Sequence, residues 1–469
     1  MTIVSFASIH RKRQFTLFIF LLTLLLIPFQ KPMKGFFAHL VKSLTPSSLI
    51  LPPYFSKQLL IFPSDLCILV FLGAFLIFVR PTLSRFFWQG PSKYLTCLFF
   101  ASLLSLFFSK TALYPLQYVK LFYFSLYFLL FCAIRISTPF LDLRALLKGT
   151  PLLFVTVGAF EGGIAISQYF SQSSLGLTAL GEMSVNHFPL TYTSSALHSG
   201  TSSLSEILFR ASGTFTHPNI LGCVLFCGIL SSLYLLQKKE TVLLRSLLFV
   251  ALFVQLTALY LSFSRSALLA ALVAIPLFYS LLIFSSSIAK SAVMKIFAFL
   301  MTGVIALTII FFPALSARGG IVNYQGPAKG ADTERLYYCK IAIKMIAEHP
   351  LFGVGYNNFQ LYSQPEYSDM PHHYFHSKVH NIFLLIGAET GLIGLTLFSL
   401  FLFHALFPAL RQRKLKQFAE ERAWLLALVG GMLCMGLLDF FLLYNSIGLI
   451  LFFSITGLLY ITTIEAKNG

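Results

Sequence analysis

Long runs of apolar residues, almost free of charge, recur along the whole of this chain. A helix needs about 20 apolar residues to cross a bilayer, and the pattern predicts an all-α polytopic membrane protein with about 12 transmembrane helices. The pair of runs on either side of Ser264 and Arg265 is either two helices or one broken, re-entrant unit. The twelve candidate spans are 15–29, 66–79, 94–109, 114–134, 151–170, 217–236, 246–263, 266–284, 293–313, 380–406, 423–440 and 443–462.

Composition excludes the soluble classes of protein. Only 11% of the 469 residues are charged and 57% are apolar, whereas a soluble domain carries about 25% charged residues. This chain therefore cannot cover the water-facing surface of a cytosolic enzyme, a secreted disulfide scaffold or a disordered protein. Its seven cysteines lie almost all in apolar runs, which indicates no disulfide framework.

Basic residues set the predicted orientation. The net charge is +18, and in a membrane protein such an excess holds short loops on the cytoplasmic side, so no nucleic-acid partner is inferred. The first apolar run follows Arg11, Lys12 and Arg13 and is predicted to be an uncleaved anchor. Both termini are predicted to be cytoplasmic, with loops 171–213 and 314–379 outside.

Loop 314–379 carries a helical pattern of its own. Thr333 is a candidate N-cap, and Pro350, Gly353 and Gly355 are typical of the end of a helix. A structureless loop of this length is unusual, so a helical exterior subdomain is predicted. The apolar positions that share its predicted buried face are Leu336, Cys339, Ala342, Ile343 and Ile346.

The segment from Arg210 to Asn219, before the span 217–236, is a candidate anion site. Arg210 is a permanent cation whose planar donor fork suits phosphate. Pro218 and Asn219 predict a helix start, and free N–H groups at a helix start also favour anions. The alternative interpretation is a polar helix cap at the membrane interface.

Arg265 is flanked on both sides by apolar sequence. An arginine inside the bilayer is costly, about 2.5–3.5 kcal/mol on insertion scales at the centre, and such a charge is a functional candidate. The alternative is an arginine that extends its charged end to the outer interface.

Histidines cluster before the span 380–406. His372, His376 and His380 are four residues apart, so a helix would place them on one face. Three interpretations stay open: a metal site, a single titrating base, His380, at the mouth of the span with an ordinary pKa near 6.5, or a solvated histidine-rich loop with no such role. The nearby acids are few, which argues against a metal site.

Three carboxylates interrupt apolar segments, namely Glu161, Glu389 and Asp439. Such groups often mark ion or proton paths, which keeps a transporter open as an interpretation. However, the apolar segments show no paired broken helices in two matching halves.

Together these residues resemble the O-antigen ligase/polymerase superfamily of membrane glycosyltransferases. The resemblance covers about residues 205–400. The motifs that carry it are Arg210-x-Ser-Gly-Thr-Phe-x-His-Pro-Asn219, Ser264-Arg265-Ser266, Arg335 with Glu348-His-Pro-Leu-Phe-Gly-Val-Gly-Tyr-Asn-Asn-Phe359, and His380-Asn-x-Phe-Leu followed by Glu389-Thr-Gly391-Leu-Ile-Gly394.

The resemblance implies a GT-C-like architecture and the transfer of a glycan from undecaprenyl diphosphate to a lipid A-core or other glycan acceptor. The family works on the periplasmic face of the bacterial inner membrane, with no required metal and no cofactor. We expect an inverting single displacement in which Arg210 and Arg265 bind phosphate and His380 is the base or orients the acceptor. The remaining motif residues, expected to bind substrate, are Arg335, His217, Asn219, Asn381 and Glu389.

The resemblance also organises the chain into N-terminal transmembrane helices (1–204), a ligase-related core (205–406) and C-terminal transmembrane helices (407–469). It leaves several activities open. The same motifs occur in polysaccharide polymerases and protein O-oligosaccharyltransferases, and proteins described as bicarbonate-type anion transporters share the domain.

Overall fold

Every regular element in the part of the chain that the structure describes is a helix. The computed structural model describes residues 3–29, 62–109, 115–137, 142–182, 210–238, 241–285, 290–319, 327–363, 378–411 and 416–468. The α-helices are α1 (Ile3–Leu25), α2 (Pro63–Val79), α3 (Ser92–Phe107), α4 (Pro115–Arg135), α5 (Leu143–Ser171), α6 (Pro218–Leu236), α7 (Val242–Leu261), α8 (Arg265–Ser285), α9 (Lys290–Gly319), α10 (Pro327–Glu348), α11 (Phe359–Ser363), α12 (Ile382–Arg411), α13 (Ala419–Gly436), α14 (Phe441–Tyr444) and α15 (Ser446–Asn468).

Each of the twelve predicted spans overlaps one long helix, although several of the predicted ends differ from the ends of the helices. Seven described helices are long and apolar enough to cross a membrane, namely α4, α5, α6, α7, α8, α12 and α15. Helices α2 and α3 and the middle of α9 form shorter apolar stretches. The polytopic membrane architecture is confirmed, whereas the count of twelve crossings stays a prediction.

The runs on either side of Arg265 form two separate helices. Helix α7 ends at Leu261 and α8 begins at Arg265, and between them Phe263 adopts a left-handed backbone conformation with φ 48°. Helix α7 packs mainly on α5 and α6, while α8 packs mainly on α13. The link 262–264 is therefore a turn between helices that have different neighbours.

Helix α6 is the centre of the bundle. All of its residues are buried, because α5, α7, α8 and α13 surround it. Near its C-terminal end, Tyr234 stacks on Trp424 of α13 with ring centroids 5.1 Å apart. Its N-terminal end, at Pro218, carries the candidate site.

The helix predicted within loop 314–379 is confirmed as α10, but two of its details were wrong. Helix α10 begins at Pro327, so Thr333 lies inside the helix and is not its N-cap. The buried face is also rotated from the predicted one, because Leu336 is 67% exposed and Ile343 is 58% exposed. This rotation lets α10 pack on the start of α12 and the segment before it. The small core formed there contains Tyr338, Ile341, Met345, Val354, Phe359 and Leu385.

The segment 350–355 is fastened to α12 at a break in that helix. Gly391 has φ 68° and ψ −173°, so the helical hydrogen bonding is interrupted there. The amides of Val354 and Gly355 donate to the carbonyls of Ala388 and Glu389 at 2.9 and 3.0 Å, and the amide of Leu392 donates to Pro350 at 2.7 Å. A glycine is required because a Cβ at position 391 would lie 2.2 Å from the carbonyl oxygen of Leu351.

Candidate functional site

Arg210 is fixed between the start of α6 and the link 262–264. Its Nε donates to the carbonyl oxygen of Ser262 at 3.1 Å, and its Nη2 donates to Oδ1 of Asn219 at 3.2 Å. The guanidinium is half-buried. These bonds hold the donor fork in one orientation, as a phosphate site requires.

The predicted helix start at Pro218 is confirmed. Helix α6 begins there, and His217 is its N-cap, since His217 Nδ1 accepts a hydrogen bond from the amide of Asn219 at 3.1 Å. The His217 side chain is otherwise exposed. The segment is thus a polar helix cap, and the same cap contributes Asn219 to the bonding of Arg210.

Asp439 joins this group from the other end of the chain. Nδ2 of Asn219 donates to Oδ2 of Asp439, although the two residues are 220 positions apart. The other oxygen, Oδ1, accepts from the amide of Phe440 at 2.8 Å. Nothing in the local sequence around Asp439 indicates this contact, which depends on α6 and the segment after α13 lying side by side.

His380 lies next to Asp439 and Arg335. Its ring packs edge-on against Phe440 with centroids 5.3 Å apart, and within the described residues its Nδ1 has no hydrogen-bond partner. Burial lowers the pKa of His380 from 6.5 to about 4; the Asp439 carboxylate opposes this shift and the Arg335 guanidinium adds to it. The imidazole is therefore neutral at pH 7, with a much lower pKa than the ordinary value expected from the sequence.

His380 is not part of a helix, so it does not share a helical face with the other two histidines as expected. Helix α12 begins only at Ile382, so His380 precedes it. His372 and His376 lie outside the described residues. Asn381 is the cap of α12, because its Oδ1 accepts from the amides of Phe383 and Leu384 at 2.9 and 3.0 Å.

Arg265 stands beside this group as the first residue of α8. It directly follows the link whose Ser262 carbonyl holds Arg210, and it is half-buried. The two arginines predicted to bind phosphate therefore flank a single turn. We refer to Arg210, Asn219, Arg335, His380 and Asp439 as the arginine–histidine cluster, with Arg265 next to it.

Glu389 lies apart from the cluster, in a closed network. Its side chain is fully buried, and Lys378 Nζ forms an ion pair with Oε1 at 3.0 Å. The amide of Asn357 donates to Oε2 at 2.9 Å, and the hydroxyl of Tyr444 also donates to Oε2. Burial lowers the pKa of Lys378, while the Glu389 carboxylate opposes that shift. This carboxylate links four chain segments to one another.

A second buried carboxylate braces the segment that carries Arg210. Glu161 of α5 accepts from the amide and the hydroxyl of Thr214 at 2.9 and 2.7 Å. Two helical turns further along α5, Gln168 Oε1 accepts hydrogen bonds from the amides of Ser212 and Gly213. Its Nε2 donates to the carbonyl oxygen of Gly213 at 2.9 Å. The sequence marked Glu161 only as a possible ion-path residue, and its fixed partners account for its burial without such a path.

A comparison with models of protein families finds a match. Residues 220–399 match a family model that is described as O-antigen ligase. The matched range contains Arg265, Arg335 and His380, whereas Arg210 precedes it. No curated protein matches the chain.

Proposed function

We propose that this chain transfers a glycan from undecaprenyl diphosphate to a lipid A-core or other glycan acceptor. Its O-antigen ligase domain at residues 220–399 makes it a member of the O-antigen ligase/polymerase superfamily. The reaction takes place on the periplasmic face of the bacterial inner membrane, with both termini of the chain in the cytoplasm. The observation that carries the proposal is the arginine–histidine cluster, in which Asn219 bonds both the Arg210 guanidinium and the Asp439 carboxylate, and Asp439 acts electrostatically on the neutral imidazole of His380.

The arginines stabilise the diphosphate that leaves the donor. Breaking the bond between the anomeric carbon and the diphosphate leaves at least two negative charges on the carrier, and these charges must be balanced in the transition state. Guanidinium groups held in position before the reaction provide this balance. Arg210 is held by Ser262 and Asn219, and Arg265 follows the same turn, so the two can act on one diphosphate without a metal ion.

His380 acts as the base that activates the acceptor. A neutral imidazole accepts the proton of the acceptor hydroxyl while that oxygen forms its bond to the anomeric carbon. Attack from the side opposite the diphosphate inverts the configuration. The Asp439 carboxylate, which raises the pKa of His380, stabilises the imidazolium that forms.

The other motif residues position these groups. Asn219 orients Arg210, and Asn381 caps α12 directly after His380. Glu389 is proposed as a positioning residue and not as a substrate ligand, because its carboxylate is buried and already accepts bonds from the protein. His217 is the exposed member of the set and remains a candidate for contact with the substrate.

Deletion of the gene tests the proposed function. We expect surface glycan to be lost and the undecaprenyl-linked precursor to accumulate, with both restored by the wild-type gene and neither by an Arg265→Ala gene expressed at equal level. Unchanged glycan together with altered uptake of a small anion such as bicarbonate would contradict the proposal in favour of a transporter. The glycan profile also separates a ligase, whose loss leaves the acceptor bare, from a polymerase, whose loss leaves single repeat units.

The rate of transfer should depend on pH through His380. Protonation removes the lone pair that accepts the acceptor proton, so activity falls as pH falls through the pKa of about 4. We expect kcat/KM to stay level from pH 7 to about pH 5, whereas an unperturbed histidine would halve it near pH 6.5. In an Arg335→Gln protein the acid limb should move to higher pH, because a charge that lowers the pKa of His380 is removed. A limb centred near 6.5 in the wild type, or one unmoved in Arg335→Gln, would contradict this assignment.

A further inference from the structure

A cavity of about 450 Å³ adjoins the arginine–histidine cluster. It lies between α4, the segment 356–360 and the turn between α14 and α15. Thr216 and Phe440 are part of its wall; the first precedes the helix cap His217, and the second packs against the ring of His380. The volume is within the range of small-molecule sites, and Phe440 both lines the cavity and contacts the ring of His380.

Aromatic rings form much of the cavity wall. Tyr356 stacks on Tyr444 with centroids 6.1 Å apart and an 18° angle between the ring planes, and Phe124 packs on Tyr356 at 5.9 Å. Side-chain amides and hydroxyls lie between these rings. The polar lining residues are Thr216, Asn357, Gln360, Asn445 and Ser446. Flat apolar faces with interspersed amides suit a sugar ring, whose C–H face packs on an aromatic ring while its hydroxyls bond to amides.

The charged side chains in the described wall are basic. Among the described lining residues the charged groups are Lys120 and Lys378, and Lys120 Nζ lies 6.0 Å from the centroid of Tyr123. The neighbouring carboxylates are behind the wall. Glu389 is fully buried in its bond with Lys378, and Asp65 is 1% exposed and accepts from the Tyr123 hydroxyl.

The first turn of α15 strengthens this positive field. Helix α15 begins at Ser446, on the cavity wall, and Asn445 caps it by accepting from the amide of Ile447 at 2.9 Å. The N-terminal end of a helix carries a partial positive charge. Together with Lys120 it favours an anionic group in the cavity, whereas the charge of Lys378 is balanced by Glu389.

We propose that this cavity binds the acceptor, and that the sugar it takes carries a phosphate or carboxylate group. The inference rests on the proposed function, in which His380, packed against Phe440 of the cavity wall, takes the proton of the acceptor. Lys120 contacts the anionic group, the aromatic wall holds the ring, and the reacting hydroxyl points past Phe440 to His380. Arg210 and Arg265 bind the diphosphate of the donor and do not contact the acceptor.

Direct binding tests the proposal without requiring transfer. The full chain in phosphatidylcholine nanodiscs is titrated with glucose 6-phosphate, glucuronate, glucose and inorganic phosphate, with saturation-transfer NMR as the readout. Both acidic sugars should bind more tightly than glucose or phosphate alone. Lys120→Gln should weaken the acidic sugars about tenfold, as expected for a hydrogen bond to a charged group, and glucose less than twofold.

Matched variants separate this effect from misfolding. Lys120→Arg keeps the charge and should retain binding, and Lys93→Gln, an exposed lysine 4.9 Å from the centroid of Tyr94, should leave binding unchanged. Gln360→Ala should weaken all three sugars alike. Equal affinity for glucose and the acidic sugars, no binding of the acidic sugars, or acidic-sugar binding unaffected by Lys120→Gln would overturn the proposal.

The two proposals fail separately. Arg265→Gln should abolish glycan transfer and leave sugar binding intact. A wild-type protein that transfers no glycan but binds acidic sugars through Lys120 would refute the proposed function and keep the cavity as an acidic-sugar site. A protein that transfers glycan but shows no preference for acidic sugars would refute the cavity assignment alone.

Discussion

Replacing Arg210 by glutamine is expected to lower kcat/KM for glycan transfer by a factor of about 10²–10³, the loss typical when one preorganised donor to a developing anion is removed. The guanidinium is already oriented by Ser262 and Asn219, so it requires little rearrangement when the diphosphate leaves. Lysine should not restore the rate, because a point charge cannot reproduce the planar fork. The measurement is transfer from a purified lipid-linked donor in a reconstituted membrane.

Two further variants define what the Arg210 result means. Arg245→Gln removes an exposed arginine near the start of α7 and should leave the rate unchanged. Gln168→Ala removes bonds that hold the backbone of Ser212 and Gly213, and should give a smaller loss than Arg210→Gln because it displaces the arginine without deleting it. A rate within about twofold of wild type for Arg210→Gln would show that this residue does not act on the donor.

Replacing Gly391 by alanine should detach the segment 350–355 from α12. The backbone of Gly391 has φ 68°, which costs a residue with a side chain about 1–3 kcal/mol. The added Cβ would also lie 2.2 Å from the Leu351 carbonyl oxygen, so that the bonds from this segment to Ala388, Glu389 and Leu392 must shift. We expect a lower thermal unfolding temperature, protease cleavage within 349–359, and loss of transfer.

Gly303→Ala is the matched control for Gly391→Ala. Gly303 lies in α9, and a Cβ there meets nothing within 4 Å. Alanine should be neutral or slightly stabilising, since it favours helix over glycine by about 1 kcal/mol. If Gly391→Ala unfolded at the wild-type temperature and resisted protease equally, the fastening of this segment to α12 would not have the importance that we assign to it.

The positions of the helices could be predicted because each depends on a local run of apolar residues. The face that each helix buries depends on its neighbours. In α10 the spacing of apolar residues was predicted, but Leu336 is exposed because the helix turns Tyr338 and Ile341 towards Phe359 and Leu385. Periodicity gives the existence of such a face, and only the packing partner fixes its direction.

The sequence offered Arg210, Asn219, Arg335 and His380 as candidate site residues, but it did not reveal their contacts or the place of Asp439 among them. The approach of Asn219 to Asp439 joins residues from distant parts of the chain, which no spacing rule reveals. The pKa of His380 likewise depends on burial and on Arg335. Glu389 is part of the motif Glu389-Thr-Gly391, yet its carboxylate is buried and bonded to Lys378 and Tyr444, which supports the positioning role that we propose for it.

The buried acids also show why their positions in the sequence left a transporter as an alternative. An acidic residue within an apolar segment often marks an ion path. Each carboxylate oxygen of Glu161 instead accepts a hydrogen bond from Thr214. Asp439 accepts hydrogen bonds from Asn219 and from the amide of Phe440. Each of these carboxylates has a structural partner that the sequence does not reveal.

If Arg265 and His380 act together with Arg210 in glycan transfer, the loss of either residue should stop the formation of product. Purified wild-type, Arg265→Ala and His380→Ala proteins are reconstituted with a lipid-linked glycan donor and a lipid A-core acceptor, and the glycosylated product is quantified over time. We predict that the wild type forms product and that both variants lose nearly all of this activity while retaining the wild-type unfolding temperature. Wild-type rates in both variants would contradict the account.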